Sequence, residues 1–265
     1  MKNYRLLFAG AFLFSCNAGN NNKSEISMPG VYQMEYQEID NNGETTKFTD
    51  LHQLKIYTDD YFMYTQLDVS DTTYAFGVGT YRVDNDSNMV YEQVIFSASG
   101  ETADSSGQEY PLIITTNIDG YKQVIPNITI QGENVQLTES YKRSKAQETS
   151  PLDGVWKETR FYTIMGNDTT FVDRVQYKTF YSGYFMWGQV FNDSTGKQNT
   201  AMGFGSFTMP DATHLKETDL NSTYAITPGQ TFDVEIEMMG NDQYRQTLPN
   251  SDGSRNVEEY QRLKK

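Results

Sequence analysis

The sequence predicts an all-β protein built from two tandem antiparallel up-and-down barrels. Three observations carry this expectation. The chain is rich in aromatic residues, with 19 Tyr and 15 Phe among 265. Its apolar residues recur mainly at every second position, and turn signals arrive about every 8–12 residues, the pattern of short paired strands. The chain also repeats itself. Gly30-Val31-Tyr32 opens one half and Gly154-Val155-Trp156 the other. Lys55-Ile56-Tyr57 is answered by Lys178-Thr179-Phe180, and Tyr61 to Gln66 by Tyr184 to Gln189. Gly77-Val78-Gly79 is answered by Gly203-Phe204-Gly205, and Tyr141-Lys142-Arg143 by Tyr260-Gln261-Arg262. Landmarks that recur in one order, about 120 residues on, mean two domains of one fold, each of ordinary domain size.

The strands follow in order. Val31 to Tyr36 and Gln53 to Tyr57 alternate in polarity, and the turn Thr58-Asp59-Asp60 leads into Tyr61 to Leu67. Thr80 to Val83 and Met89 to Phe96 flank the turn Asp84 to Asn88. In the second half Trp156 to Thr163, Thr169 to Val175, Tyr177 to Tyr181 and Tyr184 to Phe191 read alike, with a turn at Met165 to Asp168. Short hairpin-like connections favour an up-and-down order, and closing the sheet removes its edges; eight to ten strands fit each repeat. Ser27-Met28-Pro29 and Ser150 to Asp153 are each expected to form a short helical turn before the barrel begins. The expected division is 28–145 for the first barrel, 146–150 for a polar linker and 151–265 for the second barrel.

The N-terminus has the form of a processing signal. Lys2 and Arg5 precede an apolar run, Leu6 to Phe14, that is shorter than the roughly 20 residues needed to span a bilayer. Leu13-Phe14-Ser15-Cys16 resembles the bacterial lipoprotein lipobox. The resemblance implies cleavage after residue 15 and lipidation of Cys16, with residues 16–27 as a lipidated, flexible tether. The expected partner is then a membrane, through the acyl chains on Cys16. No Asp follows Cys16, so the outer membrane of a Gram-negative bacterium is the expected location, facing the periplasm or the exterior. Cys16 is the only cysteine, so no intrachain disulfide can form. A net charge of −14, scattered as single residues, repels phosphate backbones and argues against nucleic acid as a partner.

No catalytic constellation stands out. His52 and His214 fall at different points of the repeat and outside any metal-binding spacing, so neither a metal nor a cofactor is expected. The glycine pairs lack a third glycine and precede strands, which marks them as bulge or tight-turn residues rather than phosphate cradles. Glu92 and Glu217 recur at equivalent points. Each either points inward, where burial would raise its pKa and let it orient a ligand, or faces solvent, or pairs with an inward Lys or Arg. Phe62, Tyr64 and Gln66 share one strand face, as do Phe185, Trp187 and Gln189. Facing inward, they form core packing or the wall of a small-molecule pocket; facing outward, they cover the sheet or meet a partner. The halves differ at Tyr64 against Trp187 and Thr65 against Gly188, where a ligand would be chosen.

A G-x-aromatic on the first strand, an antiparallel meander and an Arg at the end of the last strand together resemble the lipocalin, or calycin, pattern. More specifically, the chain is similar to small lipocalin-like domains of bacterial lipoproteins. Those domains end in an E-x-aromatic-x-R motif, matched by Glu139, Tyr141 and Arg143 and by Glu258, Tyr260 and Arg262. The resemblance implies barrel closure by Gly30, Tyr32 and Arg143 and by Gly154, Trp156 and Arg262, with each Arg across its aromatic ring. It implies non-catalytic binding of a small apolar or amphipathic ligand, with Phe62, Tyr64, Gln66, Glu92, Phe185, Trp187, Gln189 and Glu217 as candidate contacts. The alternative is a structural surface lipoprotein whose loops contact a protein or glycan. Asp71-Thr72-Thr73, Asp168-Thr169-Thr170 and Asp193-Ser194-Thr195 also resemble an O-glycosylation sequon, placing sugars on Thr72, Thr169 and Ser194, although Asp-Thr pairs equally serve turns.

Overall fold

A computed structural model describes residues 25–265 apart from 69–72, 99, 102–108, 131 and 225–226. Two closed antiparallel barrels follow one another, each with eight strands around its wall. No helix occurs among the described residues.

The wall of the first barrel is β1 (Gly30–Asn41), β3 (Leu51–Tyr57), β4 (Tyr61–Asp68), β5 (Tyr74–Asp84), β6 (Met89–Ser97), β8 (Glu109–Asn117), β9 (Gly120–Ile130) and β10 (Glu133–Arg143). The order is sequential and β10 pairs with β1 to close it. Two short strands stand outside the ring: β2 (Glu44–Phe48) on the far half of β1, and β7 (Gly100–Glu101) on β6. The wall of the second barrel is β11 (Gly154–Met165), β13 (Arg174–Tyr181), β14 (Tyr184–Asn192), β15 (Gln198–Asp211), β16 (His214–Ser222), β17 (Thr231–Met238), β18 (Gln243–Pro249) and β19 (Arg255–Arg262). Here β12 (Asp168–Phe171) is the outlying strand, and β19 closes onto β11. The strand expected over Thr169 to Val175 is therefore divided, because the chain leaves β12 at Val172 and enters the wall at Arg174.

At the seam of each barrel an aromatic of the first strand faces an arginine of the last. Tyr32 and Trp156 are buried, and each lies opposite the closing Arg of its own barrel. The Arg143 guanidinium is 5.4 Å from the Tyr32 ring and that of Arg262 is 4.0 Å from the Trp156 ring. Each aromatic also donates a hydrogen bond to the chain that enters the barrel: Tyr32 Oη to Met28 O at 3.0 Å, Trp156 Nε1 to Leu152 O at 2.7 Å. Each Arg in turn donates to carbonyls of that entry segment, Arg143 to Pro29 and Arg262 to Pro151 and Asp153. The entry carbonyls, left free by the absence of a helix, are satisfied in this way. A side chain on Gly30 would run into Arg143 and one on Gly154 into Arg262, which explains the opening glycine of each repeat. Neither entry segment is helical: residues 25–29 have no regular secondary structure, and Ser150 to Asp153 make a single turn closed by Asp153 N donating to Ser150 O at 3.1 Å.

Three apolar clusters result. Tyr32, Tyr57, Phe62, Tyr121 and Tyr141 belong to the cluster in the closed end of the first barrel. Trp156, Phe180, Phe185, Tyr244 and Tyr260 belong to its counterpart in the second. The third lies between the barrels. Outward residues Leu54, Ile56, Met63, Phe76, Val78 and Phe96 meet outward Val155, Tyr177, Met186, Met202 and Phe204. Phe96 and Tyr177 have ring centroids 4.8 Å apart, and Thr179 Oγ1 approaches Met63 Sδ at 3.1 Å. The Phe76 ring lies over Gly188, so a Cβ there would sit 2.5 Å from it. The difference between Thr65 and Gly188 therefore belongs to the contact between barrels and not to ligand choice: both residues face outward, away from the barrel interiors.

Candidate functional site: the interior of the first barrel

The alternation of β4 turns Phe62, Tyr64 and Gln66 inward, and that of β14 does the same for Phe185, Trp187 and Gln189. Phe62 and Phe185 are fully buried in the closed-end clusters and serve packing. Tyr64 and Trp187 lie across glycines on the next strand, Gly77 and Gly203, whose missing side chains leave room for the rings. Burial, reinforced by Glu139 and Glu92, holds the Tyr64 phenol above its ordinary pKa.

Above the closed end of the first barrel lies a cavity of about 760 Å³, within the usual range for small-molecule pockets. Its walls combine Val94, Leu112, Ile125 and Leu137 with Tyr64, Gln66 and several further amides. Its polar floor is a connected network. Lys55 Nζ is 2.7 Å from Glu92, which also accepts a hydrogen bond from the Tyr57 hydroxyl. Lys55 Nζ donates to Gln123 Oε1 at 3.4 Å and Gln123 Nε2 donates to Glu139 at 2.5 Å. Glu139 accepts further from Tyr141 Oη at 2.9 Å and Gln37 Nε2 at 2.9 Å, and Gln53 Nε2 donates to Tyr141 Oη at 2.8 Å. The lysine is 2% exposed, so its charge is tolerable only with the Glu92 partner and with the faces of Tyr57 and Phe62 near its ammonium. Burial, then the neighbouring Glu92 and Glu139, drive the phenols of Tyr57 and Tyr141 well above their usual range, so both stay neutral donors.

The second barrel repeats this network and adds an arginine and a stacked aromatic pair to it. Lys178 Nζ is 2.6 Å from Glu217 and donates to Gln246 Oε1 at 3.2 Å. Gln246 Nε2 donates to Glu258 at 2.6 Å, and Tyr260 donates to the same carboxylate. Burial, opposed by Lys178, raises the pKa of Glu217. Arg174 then crosses the interior, donating to Glu158 at 2.9 and 2.6 Å and to Glu258 at 2.9 Å. Trp187 stacks on Tyr224, whose hydroxyl accepts from Gln189 Nε2 at 2.8 Å. Burial pushes Glu158 up to about 7, against the pull of Arg174 and with the help of Glu258. Burial would raise Glu258 too, but Arg174 and Lys178 outweigh it and hold that carboxyl below its ordinary value.

The structure brings Tyr64, Gln66 and Glu92 together around one cavity and places Trp187, Gln189 and Glu217 in the interior of the other barrel. Glu92 and Glu217 each answer to a lysine of their own barrel. That lysine, with the Gln53 and Gln123 pair and its repeat at Gln176 and Gln246, is absent from the predicted set. The recurring Lys55 and Lys178 of the repeated landmark are the signal that marks them. Cys16 and Thr72 lie outside the described residues, whereas Thr169 is on exposed β12. Ser194 is in a turn whose Asp193 carboxylate accepts from Thr195 N at 2.8 Å and Thr195 Oγ1 at 2.6 Å. His52 and His214 are both exposed.

No protein-family model matches the sequence, and comparison with curated proteins finds no match. Among solved structures, a lipocalin-like protein from Bacteroides uniformis is similar to 43% of this chain over its whole length, at 16% identity and a TM-score of 0.30. The di-domain ARO/CYC StfQ from the steffimycin biosynthetic pathway is similar over 89% of this chain and 76% of its own, at 8% identity and a TM-score of 0.18. Likenesses so distant say nothing about chemistry. The strand order speaks for itself: eight sequential antiparallel strands, closed first to last, with an aromatic and an arginine at the seam. The chain is two lipocalin-like barrels in tandem.

Proposed function

We propose that this chain is a membrane-anchored, non-catalytic binding protein that takes a small amphipathic ligand into its first barrel. The observation that carries the reading is the cavity of about 760 Å³, which has apolar walls above a polar floor. Such a site suits one molecule with an apolar body and a hydrogen-bonding end. The second barrel serves as a companion, fixed to the first through the apolar contact between them. The titratable groups of the floor are tied to one another within each barrel, which suits orientation of a ligand better than transfer of a proton or a group.

Acyl chains on Cys16 tether the barrels to the outer membrane, where lipid-derived molecules are at hand. Incorporation of labelled palmitate by the expressed chain, lost in Cys16→Ala, is the expected result for the anchor. For the cavity, a lipophilic fluorescent dye titrated into the full chain is expected to bind, and Ala75→Trp, which fills the space from β5, is expected to abolish uptake without lowering thermal stability. Undiminished uptake by a folded Ala75→Trp protein would place the ligand elsewhere.

A further inference from the structure

The two barrels differ in what meets the glutamate of the closing motif. Glu139 and Glu258 are equivalent: each stands two residues before the tyrosine of the closing motif and accepts from the matching glutamine and tyrosine. Glu258 is met by a cation, Arg174, at 2.9 Å. The hydrogen-bond partners of Glu139 among the described residues are Gln37, Gln123 and Tyr141, all neutral. The reason is in the strands. Arg174 stands four residues before Lys178, and the same place before Lys55 holds Leu51. Glu158 faces Tyr260 across the closing seam, and the same place facing Tyr141 holds Met34. The first barrel thus keeps the carboxylate and lacks the guanidinium.

A second observation points the same way. Gln53 is 6% exposed, lines the cavity and bonds to the Tyr141 hydroxyl that serves Glu139, yet its Oε1 is buried without a donor. Glu139 Oε1 takes a single donor, Gln37, and has a second lone pair to offer. A buried amide oxygen without a donor and a carboxylate oxygen with a lone pair to spare, both lining one cavity, call for a group that carries several N–H bonds. Lys55 does not supply it, because Glu92 holds its ammonium at 2.7 Å.

We infer that the first barrel binds an amphipathic organic cation, a primary ammonium or guanidinium on an apolar tail, with the cationic end on Glu139 and Gln53. Arg174 is the built-in counterpart of that end in the second barrel. The apolar tail runs along Val94, Leu112, Ile125 and Leu137 toward the mouth. This inference rests on the reading of the first barrel as a ligand site. It excludes fatty carboxylates as preferred ligands, because a carboxylate at Glu139 would bury two like charges together.

Isothermal titration of the full chain with decylamine, decanol and decanoate, each below its micellar concentration, tests it. Decylamine is expected to bind with a stoichiometry of one, at least about tenfold tighter than either relative. Glu139→Gln should erase that preference, bringing decylamine to within about twofold of decanol on the same protein. Leu51→Arg, which brings the guanidinium of the second barrel into the first, should weaken decylamine at least about tenfold while thermal stability is held. Equal or tighter binding of decanoate, or a preference unchanged in Glu139→Gln and Leu51→Arg, overturns the inference and leaves the cavity reading standing. Failure of all three compounds to bind overturns both.

Discussion

Arg174 holds Glu258 at 2.9 Å, spanning the interior of the second barrel from β13 to β19. The same guanidinium donates two bonds to Glu158 on β11, so one cation ties together two carboxylates inside a barrel. A buried ion pair is costly to form and more costly to break, because removal of one partner leaves the other charged and unpaired. Arg174→Leu alone is therefore expected to lower stability by about 3–5 kcal/mol. Adding Glu158→Met, which reproduces the Leu51 and Met34 pair of the first barrel, is expected to recover more than half of that loss. Chemical denaturation of the single and double variants measures both.

Glu158 makes stability pH-dependent. Burial raises its carboxyl from 4.5 to about 7, so the folded chain holds this proton more tightly than the unfolded chain does. The contribution is complete below pH 4.5 and is lost as pH rises through 7, by at most about 3 kcal/mol. Glu158→Gln is expected to flatten that part of the stability profile. Denaturation midpoints taken between pH 4.5 and 8 for both proteins check it, and a variant profile as steep as the parent's would assign the proton to another group.

Trp156 closes the second barrel with its indole fully buried, its Nε1 donating to Leu152 O and the Arg262 guanidinium on its ring. Trp156→Ala is expected to cost about 3–5 kcal/mol. A loss under about 1 kcal/mol by equilibrium unfolding would mean that the ring does not support closure.

Gly188 accepts the Phe76 ring across the contact between barrels. Gly188→Leu should overpack that contact, costing about 1–3 kcal/mol, and should free the barrels from one another. Small-angle scattering of the variant is expected to show a larger radius of gyration than the parent. The interior of neither barrel should change, so ligand uptake is expected to persist.

Much of this architecture is legible in the sequence because the closing residues are adjacent to strand ends and repeat. Gly30, Tyr32 and Arg143, like Gly154, Trp156 and Arg262, meet where a closed meander must bring first and last strands together. The polar floor is less legible. Lys55 sits between Leu54 and Ile56, and the structure turns Lys55 inward and the two apolar neighbours toward the second barrel. Its partner Glu92 is on another strand, and no local pattern links them. The cue is the recurrence of Lys55 and Lys178 in the repeated landmark, since the alternation of β3 does not show that the strand is buried on both faces from Gln53 to Tyr57. The arginine bridge of the second barrel depends on single positions, Arg174 and Glu158 in place of Leu51 and Met34, which only a register-level comparison of the halves reveals.

One barrel of the pair holds a cavity, and Arg174 crosses the interior of the other. The number of lipophilic dye molecules bound per chain at saturation tests it most directly. The structure predicts one for the parent protein and none for Ala75→Trp. Two per chain, or one that persists in Ala75→Trp, would contradict it.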